Sequence, residues 1–538
     1  MISTQVGAPL YGAANGCCDV RSDAIFYEKH GEALKLPQNF SSGGYVLGLL
    51  ARGVDGARIP EDAVAKELIR FHYVENLAAW KKTYDALKAD AAAAGRPEVA
   101  VYGNVHIVEN VYSVVVSQYL DVVWTEQPAE FPRVGAPTWG SPVSADSALE
   151  YKLGRAAGDF WKPHWGIVTL TGCGLAPTAK PPQTMTVTLG AAEAAAGGGV
   201  AALLVGDVLG DDACEPAALA WAAFVDGRRA LFGADREKLA DVAVLYSVPT
   251  LLWTQDPGFF DAAYAWRGHS LQSVLAAVAR VAEDHHVPYE VLIIDHPSVS
   301  TFGHLSRRLG EFRVAMLPVV LALSDADANR LAAWVRGGGR LAAVDWAATG
   351  RYDEDWNERA PCSPAPCSRC AALQALVADP GAGSLRLLDD EVANYMAKGG
   401  AADAADDAAI AAALASPAAP LLDVAGLPRT AWVNAWAHGA GPMRTVAIVN
   451  YDGNASTNSL RPIAAPFNVT LRCDDDPARP AGSLGCANVS TATLHVFGAA
   501  APVALPLANV AAAGGGRVLA CAETKSSTRL QYERIRMF

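Results

Sequence analysis

The sequence lacks several features that define large classes of protein. Its 538 residues contain no run of 18 uninterrupted apolar residues, so no membrane span is predicted. The first residues, MISTQVGAPLYGAANGCCD, have neither a basic nor an apolar stretch, so no signal peptide is predicted. Lysine and arginine number 43 against 56 acidic residues, giving a net charge of −13. Because an acidic surface repels phosphate groups, nucleic acid is not expected as a partner.

Ligand-binding motifs are also missing. The three glycines at 337–339 follow a predicted helix and precede a strand, the reverse of a dinucleotide-binding fingerprint. They predict the turn that ends a helix. Cys362, Cys367 and Cys370 have no fourth Cys or His nearby, so a disulfide with one spare thiol is favoured over structural zinc. We therefore expect no cofactor and no metal.

The first half of the chain alternates between predicted helices and strands. A long amphipathic helix is predicted over 61–94, and residues 1–60 look loop-like. The predicted strands that follow are separated by helices and cover 99–105, 120–126, 164–170 and 199–207. This alternation indicates a parallel sheet or barrel, but a (β/α)₈ barrel needs eight strands in about 250 residues. We predict an α/β chain whose residues 1–238 form a partial (β/α) barrel.

Two further domains are predicted. In the middle region the strands, again separated by helices, cover 241–247, 289–294, 311–318 and 339–346. This pattern predicts a flavodoxin-like, doubly wound domain over 239–425, with an irregular insertion at 351–385. From residue 429 the pattern changes to short alternating strands, which predict a small β-sandwich domain over 426–538.

The stretch YLDVVWTEQP, residues 119–128, ends a buried strand in a carboxylate, Glu126. The active site of a barrel lies at the C-terminal ends of its strands, which is where Glu126 is predicted. Glycoside hydrolysis needs two carboxyl groups, about 5–5.5 Å apart for retention and about 6.5–9.5 Å apart for inversion. Glu126 is therefore the candidate catalytic residue. The alternative is a glutamate that caps a helix or pairs with an arginine.

Other polar residues follow the same predicted strands and are candidates for binding substrate. They are Asn104, Glu109, Thr169 and Asp207. Asp121 and the stretch WKPHW at 161–165 instead begin their strands. A barrel strand begins on the side away from the active site, so structural roles are predicted for both.

The order of these parts resembles glycoside hydrolases of the β-galactosidase type that carry a trimerisation domain. The resemblance covers roughly 70–535 and rests on DVAVLYS, FRVAMLP with SDADANRLAAWVRGGGRL after it, and RTVAIVNYDG. AVYGNV and LDVVWTEQ also look like two late barrel strands of a glycosidase branch of this group. The resemblance implies a barrel, a flavodoxin-like trimerisation domain and a β-sandwich. It also implies a carbohydrate substrate and a homotrimer.

This chain departs from that family in one respect. The first half of the barrel, with the strand that bears the acid/base carboxylate, is expected to be missing. GCCDVRSDAIF at 16–26 looks like the remnant of a cysteine-containing loop that follows that strand. We expect a glycoside hydrolase acting on galactosides or related polysaccharides, if the barrel is completed. One alternative is a non-catalytic relative that binds glycan or only assembles. A second is a ThuA-like or amidotransferase-like enzyme, which Pro318 at the nucleophile position disfavours.

Four glycosylation sequons point to a secreted or lumenal glycoprotein. They begin at Asn39, Asn454, Asn468 and Asn488. This expectation conflicts with the missing signal peptide, so the compartment stays open.

Overall fold

The structure is a computed structural model in which three regions follow one another. It describes residues 2–5, 20–52, 61–97, 99–104, 111–128, 148–169, 184–203, 214–232, 236–254, 265–360, 370–398, 404–415, 420–438 and 444–450, and then short segments at 453–454, 459–460, 463, 467–473, 492–494, 496–497, 503–505, 507–511, 517–522 and 536–537.

The first region contains a five-stranded sheet and its helices. The strands are β1 Ile2–Gln5, β2 Val101–Asn104, β3 Val122–Pro128, β4 His164–Thr169 and β5 Val200–Leu203. The helices are α1 Val20–His30, α2 Ser42–Ala51, α3 Ala63–Ala93, α4 Val111–Val116, α5 Ala148–Ala157, α6 Thr184–Ala196 and α7 Cys214–Asp226. The strand order is β1-β2-β3-β4-β5 and all neighbours are parallel. The predicted α/β class and parallel pairing are confirmed, and within the described residues the sheet is open.

The prediction that residues 1–60 are loop-like is wrong. They contribute β1 at one edge of the sheet and the helices α1 and α2. The four residues of β1 read Ile-Ser-Thr-Gln, which is too short and too polar for a hydrophobic period to be visible. The partner strand β2, rather than the composition of β1, makes this segment extended.

One face of the sheet is sealed by helix α5. Val123 is fully buried there, and Gly154 of α5 lies so close to the sheet that a Cβ would overlap the His164 ring. A Cβ at Gly166 of β4 would likewise overlap the Tyr151 side chain. Glycines at these two positions let helix and sheet approach closely, which leaves no room for a ligand on this face.

The second region is built on another parallel sheet. A short strand, β6 Arg236–Lys238, precedes it. Its strands, with a two-residue pair between them, are β7 Val242–Ser247, β8 Ala265–Trp266, β9 His269–Ser270, β10 Tyr289–Ile294, β11 Val314–Leu317, β12 Arg340–Ala343 and β13 Ser384–Leu387. Its helices are α8 Val248–Thr254, α9 Leu271–Asp284, α10 His304–Arg308, α11 Asp325–Arg336, α12 Ala371–Ala378, α13 Asp389–Ala397 and α14 Ala404–Leu414.

The order of this second sheet is β10-β7-β11-β12-β13, with all pairs parallel. Counted along the chain this is the order 2-1-3-4-5 of flavodoxin-like folds. The prediction of an irregular insertion at 351–385 is wrong in its second half. That half contains α12 and the edge strand β13, whose residues are all partly or fully exposed and so lack a buried apolar run.

The third region is antiparallel. Its strands are β14 Leu422–Ala425, β15 Ala431–His438, β16 Arg444–Asn450, β17 Gly453–Asn454, β18 Ser459–Leu460, β19 Asn468–Cys473, β20 Ala492–Leu494, β21 Val496–Phe497, β22 Val503–Leu505, β23 Leu507–Ala511, β24 Arg517–Ala522 and β25 Arg536–Met537. One sheet has the order β14-β19-β24-β23, and another is β16-β15-β6. The β-sandwich and the three domain boundaries stay predictions.

The second of these sheets ties the third region to the first. Strand β6 lies before the flavodoxin-like region in sequence but pairs antiparallel with β15. On β15, Trp432 and Trp436 are almost completely buried, and Asn434 donates a hydrogen bond of 2.8 Å to the carbonyl of Ala196 at the end of α6. Among the described helices, none is long and apolar enough to cross a membrane.

Candidate functional site

Backbone register brings separated parts of the sequence into rows across the first sheet. Asn104 pairs with Trp124, Trp124 pairs with Trp165, and Trp165 pairs with Val200. Glu126 lies two residues further along β3, in the next row, which is about 6.7 Å away. Residues two apart on a strand share a face of the sheet. By register, this face is the one opposite helix α5.

Three aromatic rings lie together on this face, which we call the aromatic face. It comprises Tyr102, Trp124, Trp165 and Val200. The rings of Tyr102 and Trp124 are stacked, with centroids 4.8 Å apart and planes 26° apart. Trp165 meets Trp124 edge-on at 6.2 Å and lies 6.2 Å from Tyr102. The three rings therefore form one continuous surface across β2, β3 and β4.

The aromatic face opens towards β5. Tyr102 is 9% exposed, both tryptophans are half-buried, and Val200 is 56% exposed. The indole Nε1 of Trp124 is buried and has no hydrogen-bond partner. Packing alone therefore holds this ring.

The residues between these rows fix the backbone from the other side. Thr125 is fully buried, and its hydroxyl shares a hydrogen bond of 2.9 Å with His164 Nε2. Burial, together with the Arg155 charge, lowers the pKa of His164 to about 3, so the ring is neutral at physiological pH. This neutral, buried hydrogen bond joins Thr125 of β3 to His164 of β4 and so fixes β3 at the residue next to Glu126.

Asp121, at the start of β3, is held in place by three donors. It accepts hydrogen bonds from the Tyr84 hydroxyl at 2.7 Å, from Lys88 Nζ at 3.0 Å and from the Val101 N–H at 2.9 Å. Burial alone would raise the pKa of Asp121, but these donors outweigh it and lower that pKa. The structural role predicted for Asp121 is confirmed, and it includes an ion pair with Lys88.

The structural prediction for the WKPHW stretch holds for two of its residues. Lys162 Nζ donates to the carbonyls of Ser117 and Gln118 at 2.9 and 3.0 Å, and His164 is buried against α5. Trp165 differs, because its neighbours are the other two rings of the aromatic face.

The predicted site residues fall into three groups. Asn104 and Thr169 are the last residues of β2 and β4, as predicted. Glu126 lies inside β3, which runs on to Pro128 rather than ending at the carboxylate. Glu109 and Asp207 lie outside the described residues. The roles of all five stay predictions.

Sequence reasoning missed Tyr102 and assigned Trp165 to packing. Each ring lies one or two residues after the start of its strand. In a barrel this is the end of the strand away from the active site, where residues usually have packing roles. An aromatic residue on three consecutive strands was visible as a pattern. Its meaning needed the register, which sequence alone does not give.

The second sheet has its own candidate position, the crevice between β7 and β11 where the strand order reverses. The hydroxyls of Ser247 and Thr250 hydrogen-bond to each other at 2.9 Å, and both reach the Ala322 carbonyl at 3.2 Å. The Ala322 N–H donates back to Thr250 at 3.0 Å. The remaining cavity is about 20 Å³, room for about one water molecule. The chain itself fills the place where such folds bind ligands.

No protein-family model matches the chain, and no curated protein matches it. Solved structures do. A catalytic mutant of a GH42 β-galactosidase from G. stearothermophilus aligns with a TM-score of 0.50 at 12% identity, covering 85% of this chain and 68% of that one. The α-L-fucosidase isoenzyme 2 of Paenibacillus thiaminolyticus aligns with a TM-score of 0.51 at 12% identity, covering 93% and 75%.

The match to a β-galactosidase from Rahnella sp. R3, at 16% identity and a TM-score of 0.43, covers 56% of this chain. This chain spans only 43% of that enzyme's length. At these identities the likeness shows the fold. The resemblance seen in the sequence is confirmed at that level: the chain shares its fold with distant glycoside hydrolases.

Proposed function

We propose that this chain is a glycoside hydrolase-like protein that acts on galactosides or related polysaccharides, with Glu126 as a catalytic carboxylate. The observation that carries the proposal is the register of the first sheet. It puts Glu126 one row beyond Asn104, on the face that bears three aromatic rings. The glycosidase-like fold supports the same substrate class.

The reaction would use the two-carboxyl chemistry of glycosidases. One carboxylic acid protonates the leaving oxygen, and a carboxylate attacks the sugar or activates water. Glu126 takes the second role. Because the strand that bears the acid/base carboxylate is expected to be missing, no residue is assigned to the first role, and Glu109 and Asp207 stay candidates for binding substrate.

Asn104 is proposed to bind a sugar hydroxyl. One strand spacing and two residues separate it from Glu126, so their Cα atoms are about 8 Å apart. A hexose placed between them meets both. Thr169, paired with Pro128 at the end of the sheet, is proposed to line the same site.

The test is Glu126→Gln, which keeps the shape and removes the charge. We expect turnover of a β-galactoside to fall by several orders of magnitude, with a stability change under about 0.5 kcal/mol. The matched control is Asp121→Asn on the same strand. It loses ion pairing to Lys88 and should lower the melting temperature while keeping turnover. Full turnover in Glu126→Gln would remove Glu126 from the mechanism.

A non-catalytic, glycan-binding relative is the second candidate. It is favoured by the first sheet, which within the described residues has five strands and does not close. Binding of a galactoside without turnover, in both the parent and Glu126→Gln, would select this candidate. The ThuA-like or amidotransferase-like alternative is disfavoured by the filled crevice around Ala322.

Trimerisation and glycosylation are proposed from the resemblance and the sequons. A trimer mass by light scattering would support the first, and a monomer would contradict it. Asn39 is exposed, so its sequon is accessible to a glycosyltransferase. Release of glycan from Asn39 after expression in secretory cells would support the second.

A further inference from the structure

We propose that the aromatic face is a carbohydrate platform that takes a hexopyranosyl ring, entered across the sheet from the β5 side. This inference rests on the proposed function, because it names where that substrate would lie. It differs from the usual barrel site in position. The rings lie within the strands and not on the loops that follow them: Trp124 and Trp165 are one row below Glu126, and Tyr102 is two rows below.

The size and shape of the surface fit a sugar. Three rings with centroids 4.8 to 6.2 Å apart cover three neighbouring strands, which is two strand spacings and enough to seat one hexose with its C–H groups against the rings. Trp124 and Trp165 are central to this surface, and both are half-buried.

The burial pattern separates this face from a packed core. The interior layers of a closed barrel are filled mostly by branched aliphatic side chains that are fully enclosed. Here the rings are large, and exposure rises from Tyr102 to Val200, which is 56% exposed. On the opposite face, Val123 and Thr125 are fully buried. Within the described residues, the aromatic face is therefore the more accessible of the two.

Two polar residues share this face by backbone register. Asn104 lies in the same row as the two tryptophans, and Glu126 lies in the next. A mostly apolar surface with a few convergent polar groups is typical of small-molecule sites.

The experiment titrates a β-linked galactobiose against the full chain, by calorimetry and by tryptophan fluorescence. Trp165→Leu keeps apolar volume and removes the ring, so we expect affinity to fall about tenfold or more. Trp165→Phe keeps a ring and should stay within about threefold of the parent. The matched control is Trp161→Leu. Trp161 is close in sequence but 69% exposed and outside the aromatic face, so binding should not change.

The outcomes separate this inference from the proposed function. If Trp165→Leu loses binding while turnover is absent from every form, the platform stands and hydrolysis fails. If Glu126→Gln abolishes turnover while Trp165→Leu binds like the parent, hydrolysis stands and the platform is overturned. Failure of the parent to bind galactobiose, or equal losses in Trp165→Leu and Trp161→Leu, also overturns it. Melting curves of the three variants show whether a loss reflects unfolding.

Discussion

Two five-stranded parallel sheets lie in this chain, one in the first region and one in the second. In the second sheet every residue of Val242–Ser247 and of Tyr289–Ile294 is buried, so both faces are covered. In the first sheet one face is sealed by α5, while the aromatic face is open towards Val200. Both sheets have five parallel strands. They differ in whether the second face of the sheet is covered by other parts of the chain, and a ligand needs an uncovered face.

The second sheet also fills its crevice. Residues 319–323 are at most 5% exposed and pass between the ends of β7 and β11. The hydroxyls of Ser247 and Thr250 hydrogen-bond to the backbone carbonyl and N–H of Ala322, so this segment of the chain occupies the crevice. At this position the second sheet therefore has no open crevice within the described residues.

The two sheets are joined by a buried carboxylate. Glu290 of β10 is 2% exposed and forms ion pairs with Arg155 of α5 at 3.3 Å and with Arg308 at 3.0 Å. Burial would raise the pKa of Glu290, but Arg308 and Arg155 outweigh it and lower that pKa. Through this ion pair, β10 of the second sheet holds α5, the helix that packs on the first sheet.

The largest effect is expected from breaking this junction. Glu290→Gln leaves the buried Arg155 guanidinium without its ion-pair partner, while Arg308 keeps Glu311. Removing one partner of a buried ion pair typically costs about 3–5 kcal/mol. Chemical denaturation should show that loss. The control is Asp85→Asn, which breaks an exposed pair with Lys81 on α3 and should cost under about 0.5 kcal/mol. A Glu290→Gln variant as stable as the parent would mean that the sheets do not depend on this pair.

The next effect tests the filled crevice. Thr250→Val keeps the side-chain shape but removes the acceptor of the Ala322 N–H, leaving a buried donor unpaired at a cost of about 1–3 kcal/mol. Thr83→Val on the exposed side of α3 is the matched control and should change stability by under about 0.5 kcal/mol. Both can be measured by urea denaturation. Equal stabilities would show that the hydroxyl does not hold the crevice closed.

A third effect depends on pH and concerns the contact between Asp159, after α5, and α10. His304 Nδ1 accepts from the Ile293 N–H at 3.1 Å, so its proton is on Nε2, which donates to Asp159 at 3.1 Å. Burial lowers the pKa of His304. Burial would raise the pKa of Asp159, but His304 and Arg307 lower it to about 2.

Both pKa values are depressed in the folded state, so both groups stabilise at high pH and lose that contribution on acidification. The stabilisation from His304 is lost as the pH falls below the unfolded pKa of histidine, about 6.5. The stabilisation from Asp159 is lost as the pH falls from about 3.9 to about 2. Asp159→Asn should flatten the melting temperature between pH 4 and 2, since asparagine also tolerates the φ of +52° found there. A parent and variant with parallel pH profiles would contradict this assignment.

The sequence predicted the second sheet better than the first, for a physical reason. Strands buried on both faces, such as Val242–Ser247, are continuous apolar runs and stand out. Ile2–Gln5 and Ser384–Leu387 are short edge strands without such runs, and only their partners make them extended. Glu126 was proposed from the sequence because a carboxylate after an apolar run is conspicuous. The aromatic face was not, because it exists only in the register of three strands.

The smallest effect is expected from a valine-to-threonine substitution in the first sheet, which is compared with the same substitution in the second sheet. Val200→Thr changes a residue that is 56% exposed on the aromatic face, so stability should change by under about 0.5 kcal/mol. Val244→Thr makes the same change in β7, where the side chain is fully buried, and places a hydroxyl among apolar groups at about 1–3 kcal/mol. Urea denaturation of both variants measures the difference. Equal losses would mean that Val200 is covered in solution, and the openness of the first sheet, on which the comparison rests, would have to be abandoned.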